Sequence, residues 1–358
     1  MALDQLILFT TSACNLSCPG CFFVSELNSK DDMTLERIET LAHSSGELKS
    51  ALLTGGEPFL RKDIDRIIEL FLERCHVDVN TNGFFPLKIK DIITSILSKR
   101  PSHTLTISVS IDGFEAAHNK RRENDRSFIK AVDTLRLLTA LRKRYRGFSV
   151  KINTVISPDN LDELVDFAKE FAIGFSPDYH NFEIERQNPD SAKRLIQRRD
   201  KLLNVYEELL RVIYKRYPSS YLIDRQRFKM QFANITDGKH WGFPCLAGIK
   251  SVVVYPNGIL SACEMRPKRI KLSDFGYDLS AALASKPMSQ EISQIETDQC
   301  FCTHGCWLLI SMRDWLAKGY KTDDYKRILL NLFKEATIKE QFDLATAFFR
   351  ERMRRVCR

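Results

Sequence analysis

Short apolar runs and longer segments of helical period alternate regularly along the first half of the chain. Strand-like runs fall at 5–10, 51–54, 77–80, 105–111, 149–156 and 179–185, with helical patterns near 34–44, 64–74, 89–97, 128–144 and 160–171. Strand and helix repeated in this way read as parallel βα units. Asp63 before Ile64 and Asp159-Asn160 before Leu161 are N-terminal helix signals, whereas Thr34 followed by Arg37 makes a poor capping box. Over 190–217 a long amphipathic stretch puts Leu195, Leu202, Leu203, Leu209, Leu210 and Ile213 on a helical period, and Pro218 stops it. After Gly238 the pattern changes, because 251–255 and 259–263 flank Pro256-Asn257-Gly258, a strong hairpin turn. The remainder, 307–358, is helical in pattern with a break at Gly319.

Composition narrows the class. A chain of 358 residues with 44% hydrophobic and 28% charged positions can bury a sizeable core as one large domain, or one large and one small. No apolar run approaches the roughly 20 residues of a membrane-spanning helix, and residues 6–9 lack the basic lead of a signal peptide, so the expected place is the cytoplasm. A reducing compartment turns the ten cysteines from disulfide partners into candidates for metal ligation or catalysis. Cys75 and Cys357 stand alone and read as small hydrophobes without a metal role. The net charge of +8 points weakly to anionic partners. Its basic runs at 120–122, 142–146, 193–199 and 350–358 are scattered among acidic residues, which is the pattern of solvated helix faces.

Cys14-Asn-Leu-Ser-Cys18-Pro-Gly-Cys21 follows the first strand directly. Three thiolates on one loop select a soft metal or an iron–sulfur cluster, and three ligands on a four-iron cubane leave one iron open for chemistry. Structural zinc is the alternative, but it wants four protein ligands and no further Cys or His stands close by. This CxxxCxxC segment resembles that of the radical SAM superfamily. The resemblance implies a [4Fe-4S] cluster on Cys14, Cys18 and Cys21, with S-adenosylmethionine on the open iron. One-electron cleavage would then give a 5′-deoxyadenosyl radical that abstracts hydrogen from substrate. Gly20 departs from the family, many of whose members have an aromatic residue there; the adenine contact then falls to backbone, Phe22 or Phe23.

Further segments resemble the family in the expected order. Leu53-Thr-Gly-Gly-Glu57-Pro58 is similar to its GGEP motif, in which Glu57 would hold the methionine amine. Asn80-Thr-Asn82-Gly83 and Ser108-Val-Ser110-Ile-Asp112-Gly113, followed by His118-Asn-Lys-Arg-Arg122, are similar to the NTNG and SxDG…H(D/N)xxR segments. By that resemblance Asn82 lines the cofactor site, Ser110 reaches the methionine carboxylate or ribose, Arg122 pairs with the carboxylate and Asn153 approaches the ribose. The implied fold is α/β, a partial (β/α)6 TIM-like barrel over 1–185, and the strand count read from the pattern agrees. Bridging helices over 186–240, a small Cys-rich hairpin and helix domain over 241–310 and C-terminal helices over 311–358 complete the expected organisation.

The late cysteines, Cys245, Cys263, Cys300, Cys302 and Cys306, resemble the auxiliary-cluster domains called SPASM and twitch, with Gly258 five positions before Cys263. Five cysteines suit one auxiliary [4Fe-4S] cluster, with Cys245, Cys263, Cys302 and Cys306 preferred and Cys300 competing. A zinc knuckle of Cys300, Cys302, His304 and Cys306 is the alternative, and it strands Cys245 and Cys263. Relatives with this layout mature ribosomal peptides, oxidise a serine or cysteine in sulfatases, or dehydrogenate small molecules. The implied partners are a peptide, protein or small-molecule substrate and an external one-electron reductant of flavodoxin or ferredoxin type, with no membrane. Two other readings compete: radical modification of a nucleotide or RNA, motivated by the basic tail, and a noncatalytic scaffold stapled by metal.

Overall fold

The computed structural model describes residues 3–100, 103–186, 188–266 and 269–317. Six parallel strands and the crossover helices of the pattern appear, with one further helix, α4, that the pattern did not mark: β1 (Leu3–Phe9), α1 (Leu35–Ser44), β2 (Leu48–Thr54), α2 (Ile64–Leu72), β3 (His76–Thr81), α3 (Pro86–Lys99), β4 (Leu105–Ser110), α4 (Glu115–Arg122), α5 (Ser127–Arg142), β5 (Phe148–Ile156), α6 (Leu164–Gly174) and β6 (Tyr179–Ile184). Three helices follow, α7 (Pro189–Gln197), α8 (Arg199–Arg216) and α9 (Tyr221–Asp237). Then come β7 (Ser251–Val254), β8 (Ile259–Ser261), β9 (Ile270–Lys271), α10 (Leu279–Leu283), α11 (Lys286–Thr297) and α12 (Gly305–Ala317). Cys357, the break at Gly319, the basic run 350–358 and most of the expected C-terminal helices lie outside the described residues.

All nine strands form one sheet in the order β6-β5-β4-β3-β2-β1-β7-β8-β9. The pairs from β6 through β1 to β7 are parallel, while β8 and β9 run antiparallel. The hairpin is therefore no sheet of its own: β7 seats on the free edge of β1, with Gln5 opposite Ser251 and Leu8 opposite Val254. All four residues of β7 are buried, as a strand covered on both faces requires. The turn after β7 closes with Gly258 at φ 76, the left-handed region that glycine enters without penalty.

Alternation along the strands separates two faces. In β3 and β5 every second residue is buried, and Val77, Val79, Val150 and Ile152 join the helices in one hydrophobic core. The opposite face is polar. Ser108 and Lys151 both donate to Asp78, at 2.7 and 3.0 Å, and Asn153 Nδ2 donates to Asn80 at 2.9 Å. The open end of a partial barrel is thus lined with hydrogen-bonding groups rather than with packed apolar side chains.

Three local readings change. The stretch 190–217 is two helices, broken at Arg198, which leaves helical geometry (φ −110, ψ 29) to pair with Asp162 and donate to the Pro158 carbonyl. Asp63 and Asn160 do not cap their helices. Asp63 pairs with Arg61, and Asn160 accepts from Ser157 N within the preceding turn. Helix α9 has no apolar stripe to betray it, because Asp224, Arg227 and Gln231 are on its buried face beside Tyr221 and Phe228.

A buried imidazole ties α4 to α5. His118 Nδ1 accepts from Asp112 N at 3.1 Å, which leaves the proton on Nε2 to donate to Ser127 Oγ at 3.0 Å. Burial, helped by the Arg122 cation, holds this histidine down at about 3. A histidine kept neutral in the folded state contributes stability that is complete above its unfolded value near 6.5 and is lost as pH falls towards 3. Replacing His118 by Gln is therefore expected to shrink the stability lost between pH 7 and pH 5 by about 2 kcal/mol. Urea unfolding of both proteins at the two pH values measures this, and parallel losses would refute it.

Candidate functional site

The first cysteine loop is held by backbone. Leaving β1, Thr10 N donates to Thr54 O at 2.7 Å, and Gly56 N and Glu57 N then donate to Thr11 O and Ala13 O at 2.8 and 2.7 Å. A Cβ on Gly55 would stand 2.4 Å from Thr11 O, and one on Gly56 2.3 Å from Ala13 O. The two glycines thus let the end of β2 pass directly against the cysteine loop, a reason for them that their spacing did not disclose. From the other side Asp32 accepts from Thr11 Oγ1 and Ser12 N, and Asn28, at φ 59, accepts from Cys14 N at 3.0 Å.

Cys14, Cys18 and Cys21 are all half-buried and electrostatic neighbours. Burial pushes the Cys14 thiol up to about 11 and raises Cys21 as well. Leu16 N donates to Cys14 Sγ at 3.5 Å and Arg122 Nη1 reaches Cys18 Sγ at 3.9 Å. Among the described residues, two buried donors beside this loop, Asn15 Nδ2 and Arg122 Nε, have no acceptor.

Glu57 has no exposed surface, and its carboxylate accepts from Phe59 N, Thr81 Oγ1 and Asn82 N at 3.1, 2.8 and 2.7 Å. Burial raises it to about 7 despite those donors. Asn82 completes the chain by donating to Asn15 Oδ1 at 3.0 Å. Asn153 and Ser110 stand opposite each other in register on the open face. Arg122 already holds a carboxylate of the protein: its Nη2 lies 2.7 Å from Asp112, while Arg121 bridges Asp112 and Glu185 at 3.4 and 3.1 Å. Thr81 and Glu185 were not among the residues picked from the sequence, and Asp112 stood there only within its motif, without a role. Glu185 and Arg121 explain Gly20, since a Cβ there would come within 2.5 Å of Glu185 and 2.9 Å of Arg121. Phe22 packs its ring under Arg186, whose Cζ is 4.9 Å from the centroid.

The late cysteines come from three segments. Cys263 is buried beyond β8 and accepts from Met265 N at 3.3 Å, while Arg266 donates to Cys300 Sγ at 3.6 Å. Trp241 Nε1 donates to Cys302 O at 2.9 Å, and Ser311 Oγ accepts from Leu246 N, next to Cys245, at 3.0 Å. Cys245, Cys263, Cys300 and Cys302 have one another as electrostatic neighbours, whereas Cys306 faces Glu183, Glu264, Arg186 and Arg227. Both nitrogens of His304 are in use, Nε2 with Glu264 at 2.7 Å and Nδ1 accepting from Cys306 N at 3.3 Å. Among the described residues no three His, Cys, Asp or Glu side chains stand as a site for a single metal ion.

A model of the radical SAM superfamily matches residues 8–171, from β1 and the first cysteine loop through α6. The chain carries a radical SAM domain. It is an enzyme of that class, and the superfamily's cofactors are a [4Fe-4S] cluster and S-adenosylmethionine. Among curated relatives of this radical SAM protein, the antilisterial bacteriocin subtilosin biosynthesis protein AlbA of Bacillus subtilis is 22% identical over 347 residues, covering 88% of this chain and 68% of AlbA. A probable GTP 3′,8-cyclase of Archaeoglobus fulgidus is 28% identical over 180 residues, covering 48% of this chain and 57% of the cyclase. The solved structure of native anSMEcpe with bound AdoMet and Cp18Cys peptide shares the fold at a TM-score of 0.55 and 19% identity, covering 83% of this chain and 85% of that one.

Three thiols on one loop, a guanidinium at one of them and two orphaned buried donors fit a sulfide-rich cluster at Cys14, Cys18 and Cys21. Because the loop rests on Gly56, Gly56→Ala is expected to lose most of the roughly four irons of that site on anaerobic reconstitution. Gly174→Ala, where nothing lies within 4 Å, is expected to keep them. Iron and sulfide assays beside far-ultraviolet circular dichroism decide this, and full iron in Gly56→Ala would refute the argument.

Proposed function

We propose that this radical SAM enzyme modifies a peptide or protein substrate and carries an auxiliary cluster on its late cysteines. The observation that carries this is Arg186. Its guanidinium lies over the Phe22 ring, one residue past Cys21, and pairs at 2.8 Å with Glu264, one residue past Cys263. Two thiol groups far apart in the chain are thereby brought to either side of one arginine. With both groups loaded, the first cluster and S-adenosylmethionine supply a hydrogen-abstracting radical and the second supplies an acceptor for the electron left on substrate.

In this reading Cys14, Cys18 and Cys21 hold the first cluster. Glu57 receives the methionine ammonium in addition to its three protein donors, since a carboxylate has about four acceptor sites. Asn82, Ser110 and Asn153 line the cofactor from the open face, and Phe22 borders it. Arg122 acts at Cys18 and Asp112, with the cofactor carboxylate as a further partner for its free Nε. For the auxiliary cluster the neighbour relations favour Cys245, Cys263, Cys300 and Cys302, and Cys300 thus replaces Cys306 in the preferred set. The units 1–185, 186–240, 241–310 and 311–358 serve as working divisions of one enzyme, although the hairpin joins the barrel's own sheet.

A peptide substrate is supported by the span of the similarities. The alignment with AlbA and the fold likeness to peptide-bound anSMEcpe each cover more than four-fifths of the chain, while the cyclase aligns with about half. That cyclase nevertheless keeps a nucleotide substrate as the second reading. An external one-electron reductant is required by the chemistry, and no helix among the described residues is long and apolar enough to cross a membrane. After anaerobic reconstitution the wild type is expected to hold roughly eight irons, and a Cys14, Cys18, Cys21→Ala triple variant about four. About four irons falling to none would remove the auxiliary cluster. With dithionite, release of 5′-deoxyadenosine stimulated by GTP rather than by peptide would select the nucleotide reading.

A further inference from the structure

Helix α9 buries charge where a helix ordinarily buries hydrocarbon. Arg227 has no exposed side-chain surface, and its guanidinium reaches two elements at once. Nη1 donates to Asn181 Oδ1, Phe182 O and Glu183 Oε1 of β6 at 3.1, 2.9 and 2.7 Å. Nη2 donates to Asp224 Oδ1 at 3.0 Å, and the same oxygen accepts from Tyr179 OH at 2.6 Å. The other oxygen of Glu183 accepts from Gly305 N at 3.1 Å, at the start of α12, and one turn along α9 Gln231 Nε2 donates to Thr303 O at 2.6 Å. The contact with Gly305 is close enough that a Cβ there would stand 2.0 Å from Glu183 Oε1.

Such an arrangement is poor economy if its purpose is stability. Burying one cation between two carboxylates costs desolvation that their attraction barely offsets, whereas apolar packing would hold α9 to β6 equally well. What buried polar groups add is geometry, because each bond has one distance and one direction. Here the fixed object is residues 303–305, the segment between Cys302 and Cys306. A carboxylate held at the first turn of α12 also meets the positive end of that helix.

We propose that Arg227 is a positioning residue: through Glu183 it sets the Cys302–Cys306 segment against the end of β6, and so places the late thiols relative to the barrel. The role rests on the proposed auxiliary cluster for its purpose but not for its test. Arg227→Met keeps the length and removes the donors, Gly305→Ala attacks the contact from the other side, and Arg227→Lys restores one cation.

Hydrogen exchange of the amides of residues 303–308 is measured first, on the full-length protein without iron. Exchange about tenfold faster in Arg227→Met and in Gly305→Ala than in the wild type is expected, with Arg227→Lys between them. Unchanged exchange in both overturns the proposal, and the second variant keeps the test open if the first does not fold. Anaerobic reconstitution in the Cys14, Cys18, Cys21→Ala background then reads the consequence. The roughly four irons remaining there are expected to fall below about one when Arg227→Met is added. Faster exchange in a background that never held iron would uphold the clamp and defeat the auxiliary-cluster reading. Faster exchange with all four irons and an unaltered paramagnetic spectrum would show that the late thiols are placed without Arg227 and would overturn its positioning role.

Discussion

The arrangement of the site depends on β1 having a partner on both edges. β2 pairs with it along Leu3–Phe9, and β7 pairs with its other edge from Gln5 to Leu8. Because both pairings are parallel, neither can be made by a tight turn, and long stretches of chain must pass between the partners. One of those stretches carries Cys14, Cys18 and Cys21, and the chain before and after β7 carries Cys245 and Cys263. The strand itself is held by burial, with Leu6, Ile7, Leu8 and Phe9 almost without exposed surface. Because both faces of the strand are apolar, its register is set instead by the contacts beyond it, such as Thr10 N on Thr54 O, which a slip of one residue would misplace.

Around this frame the charges are distributed in sets, each built on an arginine paired with a buried or partly buried carboxylate. Arg121 and Arg122 share Asp112, and Arg121 reaches on to Glu185; Arg186 holds Glu264, which also meets His304; Arg227 sits between Glu183 and Asp224. Each set joins the end of a strand to a segment next to a cysteine. Guanidinium suits the task because its planar donors remain charged when buried and reach several acceptors in fixed directions. Loops with few buried apolar side chains are thereby given the definition that a hydrophobic core gives the helices.

Much of this was legible before any coordinates. The strands at 77–80, 105–111 and 149–156 lie within a residue or two of those observed, since apolar runs bounded by turns leave few alternatives. Both cysteine groups, Glu57 and the strand-end polar residues could be picked out because chemistry of that kind concentrates at such positions. Helix α9 lies within the bridging helices expected over 186–240, but its bounds and buried face were illegible for the converse reason: that face carries Asp224, Arg227 and Gln231 and so shows no apolar stripe. Glu185 and Thr81 escaped notice because nothing local distinguishes them from ordinary strand residues, and the pairing of Asp112 with Arg121 and Arg122 is made only by the fold.

By itself the sequence determined the βα order, the hairpin turn and the two groups of closely spaced cysteines, all of which follow from local spacing and backbone preference. Only the tertiary structure decided that the hairpin extends the barrel sheet, that Gly20 yields its space to Glu185, and that Arg227 and Glu183 meet the segment between Cys302 and Cys306. Those outcomes depend on contacts between residues dozens to hundreds of positions apart. They are selected by the packing of strand edges and by the pairing of buried charges, quantities that no stretch of sequence contains alone.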